Sequence, residues 1–220
     1  MEMNMKKQAA ADPASKNPDR KTNSLACLMM ASGMSTRFGT NKLLVDYNGH
    51  SLFENAIRIS RYVDFGQTLT VTRHPDIVDL CRHENIPVLL HDLPNRNDMI
   101  RLGVTILLAS NKPSGILFLP SDQPLISRDS MQRLCLTFLR HRDRICRLSY
   151  DGNGGSPVIF PPGFYEELLA LPDKKGGGFL TKKYPEQVVL VPARDPYELY
   201  DVDTPEDLTA LSQYLNRFLF

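Results

Sequence analysis

The chain has no surplus of charge of either sign: 26 lysines and arginines stand against 25 aspartates and glutamates, a formal +1 over 220 residues. That balance gives no broad field for a nucleic acid or a membrane surface, so any anion has to be held by a local arrangement. Cysteine is also scarce. Cys27, Cys81, Cys135 and Cys146 form no C-x-x-C pair and have no histidine beside them at zinc spacing. They read as buried, reduced thiols of a cytoplasmic protein rather than metal ligands. The histidines at 50, 74, 83, 91 and 141 are scattered without ligand spacing, and no Ser-His-Asp arrangement is suggested. Long apolar runs are missing as well, since a stretch such as 116–119 falls far short of the roughly 20 residues that span a bilayer. The first 24 residues are polar and lack the apolar segment of a secretory signal, so they read as a disordered leader. The expected organisation is that leader over 1–24 and one domain over 25–220, with a nucleotide-binding first half and an acceptor-binding second half.

What is present is an alternation of strand and helix signals. Residues 25–30 are almost wholly apolar, as a strand buried on both faces requires. Ser51 and Glu54 make an S-x-x-E capping box for a helix over 52–62. Further strands are predicted at 67–72, 87–91, 115–119, 144–150, 157–160 and 187–192, with a turn over 151–156. Helices are predicted at 75–84, 98–109, from the Ser127 cap to 140, at 164–171, over a short turn at 179–184, and after a Thr204 cap with Pro205 at the first position. This order implies a mainly parallel sheet covered on both faces, with ligands at the carboxyl ends of the strands.

The loop after the first strand, "MMASGMSTRFGTNKLL" (29–44), is neither G-x-G-x-x-G nor a Walker A loop, because Leu43 follows Lys42 where a hydroxyl is needed. It still suits anions. Ala31, Ser32 and Gly33 are small enough for backbone N–H groups to approach a phosphate. Arg37 can grip two phosphate oxygens and Lys42 adds a point charge. A surface loop with two solvated cations fits the same composition. Asp122, after the apolar run 115–119, suits a hard cation or a turn cap. Asp201 and Asp203, two apart in "DVD", would share a side in an extended segment.

Four stretches carry a resemblance. "LMMASGMSTRFGTNKLL" (28–44), "FLPSDQPLIS" (118–127), "SPVIFPPGFYEELLAL" (156–171) and "YDVDTPEDL" (200–208) occur in the order found in the MobA-like nucleotidyltransferases. Within that group the chain most resembles the molybdenum cofactor cytidylyltransferases. The resemblance implies a Rossmann-like three-layer α/β sandwich of the nucleotide-diphospho-sugar transferase type. It implies CTP bound by Ala31, Ser32, Gly33, Ser35, Arg37 and Lys42, with Arg37, Lys42 and Asp122 as catalytic residues and Mg²⁺ held by Asp122 and Asp203. The reaction implied is attack of the molybdopterin phosphate on the α-phosphorus of CTP, with a molybdenum hydroxylase as the receiving partner and neither nucleic acid nor membrane involved.

"NRNDMIRLGV" (95–104) aligns with a family stretch written Met-Ser-x-Ser-Ile-Arg-x-Gly. Asn97 and Met99 replace the serines while Arg101 and Gly103 are kept, so Asn97 and Arg101 are expected at the nucleotide. The acceptor is expected at Ser156, Pro157, Lys175, Gly176 and Gly177. Gly178 stands where the family pattern Asp-Lys-Gly-Gly-Arg has its arginine, and Lys174, Lys175 or Lys182 are the residues available to compensate. A GTP-dependent relative is the alternative within the enzyme class, and a molybdenum-cofactor carrier without transfer activity the alternative outside it.

Overall fold

The computed structural model describes residues 22–216. The leader expected over 1–24 therefore lies outside the described residues up to position 21. Thr22 is buried, and Ser24 Oγ lies 2.7 Å from Ser114 Oγ.

The centre of the fold is β1 (Leu25–Ala31), whose apolar run is flanked by β4 (Gln67–Thr72) and β6 (Gly115–Pro120), both parallel to it. A strand covered on both faces needs side chains that bury in both directions, and these do. Cys27, Met29 and Ala31 point into one core with Phe53, Ile77, Leu134 and Phe138, and Ala26 and Leu28 into another with Ile100, Val104, Leu168 and Leu180. The first core is closed by α1 (Leu52–Ser60), α2 (Pro75–His83) and α4 (Arg128–Arg140); the second by α3 (Arg96–Ser110), α5 (Tyr165–Leu169) and α6 (Gly178–Lys183). Each fully buried leucine or phenylalanine contributes about 1.5–3 kcal/mol, so the two helix layers are what hold the sheet between them. α3 sits so close that a Cβ at Gly103 would come within 2.7 Å of Leu28. The four cysteines are buried and unpaired, and burial raises the thiol pKa of each.

The seven-stranded sheet runs β5-β4-β1-β6-β8-β7-β9, with β5 (Val88–Leu90), β7 (Ile145–Tyr150) and β9 (Val188–Pro192) completing it. The expected three-layer, mainly parallel sandwich is observed. Its one reversed member is β8 (Asn153–Phe160), antiparallel to both β6 and β7. The strand expected from 157 starts four residues earlier. The turn is only Asp151 and Gly152, at φ of 46° and 75°, a two-residue hairpin reversal. Gly154 and Gly155 then stay extended because their carbonyls accept from the Arg147 guanidinium. A small hairpin, β2 (Asp46–Tyr47) and β3 (His50–Ser51), turns on Asn48-Gly49 and was not anticipated. The Ser51–Glu54 capping box is complete on α1, and α7 (Pro205–Asn216) starts as expected, with Asp207 N donating to Thr204 Oγ1. Among the described residues no helix is long and apolar enough to cross a membrane.

This topology positions the site in two ways. The parallel strands β1, β4 and β6 end on one rim, putting the loop after Ala31, the Arg73-His74 pair and Asp122 side by side. The reversal of β8 matters equally: Phe118 pairs with Val158, and continuing that antiparallel register sets Ser156 beside Pro120 at the same rim.

Candidate active site

The loop after β1 is folded by its own polar groups. Ser35 takes a left-handed φ of 50°, and its Oγ accepts from Lys42 N at 3.1 Å. Asn41 caps a single 3₁₀ turn at Lys42–Leu44 by accepting from Leu43 N. These bonds fix the backbone of Lys42 and send its side chain inward, where it is nearly buried. Its Nζ donates to Asp122 Oδ2 and to Asp203 Oδ1, both at 2.8 Å. Arg37, mostly exposed, donates to Asp203 Oδ2 at 2.6 Å. The two cations and two acids expected from separate parts of the chain therefore meet in one cluster.

The electrostatics follow from that packing. Burial opposes the charged form of Lys42, but the attraction and hydrogen bonds of Asp122 and then Asp203 outweigh it and hold the ammonium pKa above the ordinary lysine value. Asp203 is held below the ordinary carboxylate range, first by its hydrogen bond from Lys42 and further by Arg37. The acidic segment is itself pinned. Val202, fully buried, donates its N–H to Asp122 O at 2.9 Å, leaving Asp201 and Asp203 on the outer side. Asp207 then accepts from Asp203 N and Thr204 N. Asp201 accepts from Gln123, and desolvation together with the Asp122 charge raises its carboxyl pKa.

A cleft of about 320 Å³ opens over this rim; Ser32, Gly33, Asp122, Asp201 and Ser156 are among its lining residues. Ala31 itself is buried, and its carbonyl accepts from Thr72 Oγ1. Two histidines without motif spacing brace the loop. His74 Nε2 donates to Gly33 O at 2.9 Å. His91 Nδ1 accepts from Leu93 N, which leaves its Nε2–H to donate to Ser32 Oγ at 2.7 Å, while Ser32 passes its own hydrogen to Val71 O. His91, Arg73 and Asn95 line the cleft beyond the loop and carried no local signal in the sequence.

A second cavity, of about 300 Å³, adjoins the first. Ser156, Lys175, Gly176 and Gly177, named together from the sequence, line it together, and Ser156 lines both cavities. Pro157 follows a cis peptide bond at that shared wall.

Two residues expected at the nucleotide are engaged elsewhere. Asn97 is fully buried: its Nδ2 donates to Asp98 and Asp173, and its Oδ1 accepts from Lys174 N at 3.0 Å. It fastens the first turn of α3 to the 173–178 segment and lines neither cavity. Arg101, one turn further on, donates to Leu169 O and to the same Asp98 oxygen that Asn97 engages, and it too lines neither cavity.

The sheet order, the reversed strand and the rim define a Rossmann-like three-layer sandwich of the nucleotide-diphospho-sugar transferase type. The comparisons agree. Rv0371c of Mycobacterium tuberculosis superposes with a TM-score of 0.72 at 22% identity, over 86% of this chain and 98% of that one. The same protein in complex with manganese gives 0.65 at 18%, again over 86% and 98%. A Geobacillus protein named as a molybdenum cofactor guanylyltransferase is 26% identical over 113 residues, 51% of this chain and 57% of the relative, so the chain spans little more than half of that relative's length. The family model of the MobA-like NTP transferase domain matches residues 27–188. The chain belongs to that nucleotidyltransferase family.

Proposed function

We propose that the protein transfers a nucleotidyl group from CTP to the phosphate of molybdenum-molybdopterin, releasing pyrophosphate and forming the cytosine dinucleotide. The observation that carries this reading is Lys42, bridging Asp203 and the cleft-lining Asp122, with Arg37 on the second acid. A carrier of the finished cofactor has no use for a triphosphate clamp.

The small residues Ser32 and Gly33 let backbone N–H groups approach the triphosphate, while Arg37 and Lys42 exchange their carboxylate partners for its oxygens. The donor set suits a hard divalent ion: two carboxylates lie within reach of one ammonium. Among the described residues no group of three or more His, Cys, Asp or Glu could hold a metal unaided, so phosphate oxygens and water would complete the shell. Mg²⁺ at Asp122 and Asp203 would neutralise and orient the triphosphate. The acceptor, lying against Ser156, Lys175, Gly176 and Gly177, directs a phosphate oxygen at the α-phosphorus. A new P–O bond forms there, and the bond to the bridging oxygen breaks with its electron pair leaving on pyrophosphate. The attacking phosphate is already anionic, so no strong base is required. Alignment and charge neutralisation by Arg37 and Lys42 supply the acceleration.

The Geobacillus relative's name favours GTP as a second reading. The test is pyrophosphate release on mixing the protein with molybdenum-molybdopterin, MgCl₂ and CTP, GTP or ATP in parallel. Expected is release with CTP that stops on chelation by EDTA. Release with GTP alone replaces the base assignment, and no release with any of the three overturns transfer in favour of carriage.

A further inference from the structure

The acceptor cavity contains more positive charge than the expected residues explain. Arg96, Lys174, Lys175 and Lys182 line it over an apolar floor that includes Ile100 and Phe118, with no carboxylate in its lining. The family's arginine is missing, because position 178 is glycine. Arg96 begins α3 and is one of three residues that line both cavities, with Met30 and Ser156. Its aliphatic stem lies against Gly176: a Cβ there would come within 2.7 Å of Arg96 Cδ, so the glycine leaves the room the arginine occupies. Asn97, the next residue, donates to the Asp173 carboxylate and accepts from Lys174 N, and so holds that glycine segment against Arg96. In the family stretch aligned with 95–104 the position of Arg96 is Met. One arginine has gone from one wall of the cavity and another has appeared on the facing wall.

We propose that Arg96 holds the acceptor's attacking phosphate at the junction of the two cavities, supplying a guanidinium to the cavity whose family pattern has its arginine at position 178. This rests on the transfer reading above, and it adds the anchoring group for the acceptor. A guanidinium offers paired N–H donors to a phosphate monoester; the carboxylates of the adjoining cleft, Asp122 and Asp201, are engaged by Lys42 and Gln123. The apolar floor suits a flat ring system attached to that phosphate.

The experiment compares wild type with Arg96→Met, Arg96→Lys and the double variant Arg96→Met/Gly178→Arg. Gly178 has open space at its Cβ and no left-handed φ, so an arginine fits there. Arg96 is exposed, and thermal melts of all four proteins should coincide. Expected for Arg96→Met is a rise of about 10- to 100-fold in acceptor KM, the scale of one lost charge-assisted contact, with nucleotide KM unchanged. Arg96→Lys should recover part of this and the double variant most of it. An unchanged acceptor KM, a rise confined to nucleotide KM, or a double variant no better than Arg96→Met would overturn the proposal. NMR titration with phenyl phosphate, an aromatic monoester, reads the same site without turnover. Weaker binding by Arg96→Met than by wild type supports the proposal, while equal binding, or none by wild type, overturns it. If wild type binds the probe but transfers no nucleotide, the transfer reading fails and the anion site stands.

Discussion

The two cavities are neighbours, yet they treat charge in opposite ways. On the donor side the two cations of the cluster already have acids, Lys42 two and Arg37 one of the same pair, while Arg73 in the cleft lining donates to the Leu93 carbonyl. On the acceptor side Arg96 and three lysines line a wall with no carboxylate. In the proposed reaction a metal–triphosphate, which carries both signs, would meet a rim where cations and anions can each trade partners. The proposed acceptor phosphate carries one sign and would meet a wall of the other. The contrast teaches that paired charges suit exchange and a wall of cations without a carboxylate suits capture.

The largest way to break this contrast is Asp122→Ala. Removing one charge-bearing group from the donor rim should lower turnover on the order of 10²–10³ while the chain stays folded by circular dichroism; full activity would remove Asp122 from the machinery. Next is Lys42→Met, which leaves Asp122 and Asp203 facing each other without their cation. A loss of about 1–3 kcal/mol is expected by chemical denaturation at neutral pH, below the full figure for a buried pair because Asp203 is partly solvated. The sign with pH follows from Asp203, whose folded pKa lies below its ordinary 3.8. Its contribution is complete above that value and disappears as pH falls through the folded one, so the gap between wild type and variant should close in acid. A gap that persisted there would mean packing, not charge, holds Lys42.

Asn97→Ala addresses the frame of the acceptor side. The Lys174 N–H would lose its acceptor, at about 1–3 kcal/mol, and nucleotide KM should stay at the wild-type value; a nucleotide KM that rose alone would return Asn97 to the donor. The smallest effect is expected of Ser32→Ala, which removes the hydroxyl between His91 and Val71 for about 0.5–1.5 kcal/mol. His91 is held below its ordinary 6.5, first by burial and then by the Arg73 charge. The unfolded chain therefore binds the extra proton first. Stability from this brace is complete above 6.5 and declines as pH falls from there toward the folded value. His91→Phe should flatten that part of a stability–pH profile.

What could be read from the sequence divides along physical lines. The loop, Lys42, Asp122 and Asp203 were legible because each belongs to a short segment whose residue types already state a chemistry. Their meeting was legible only through the strand order. The inward placement of Asn97 was not legible because helix phase decides which way a polar residue in the first turn of α3 points, and successive residues differ by about 100°. Arg96 faces the cavities while Asn97 faces the 173–174 segment. Ser32 and His91 lie 59 positions apart, with no pattern to join them before the strands do. The reversal of β8 turned on two residues with left-handed φ inside a glycine-rich stretch where several turns were possible.

Val202, whose N–H is tied to the carbonyl of Asp122, makes the 201–207 segment part of the geometry of the acid cluster. The distance between the two acids is set by a backbone tether, and one end of that tether is anchored by Asp207 in the opening turn of the last helix. On the metal reading proposed for Asp122 and Asp203, damage to the first turn of that helix would register in an assay as lost metal affinity before it registered as an unfolded protein.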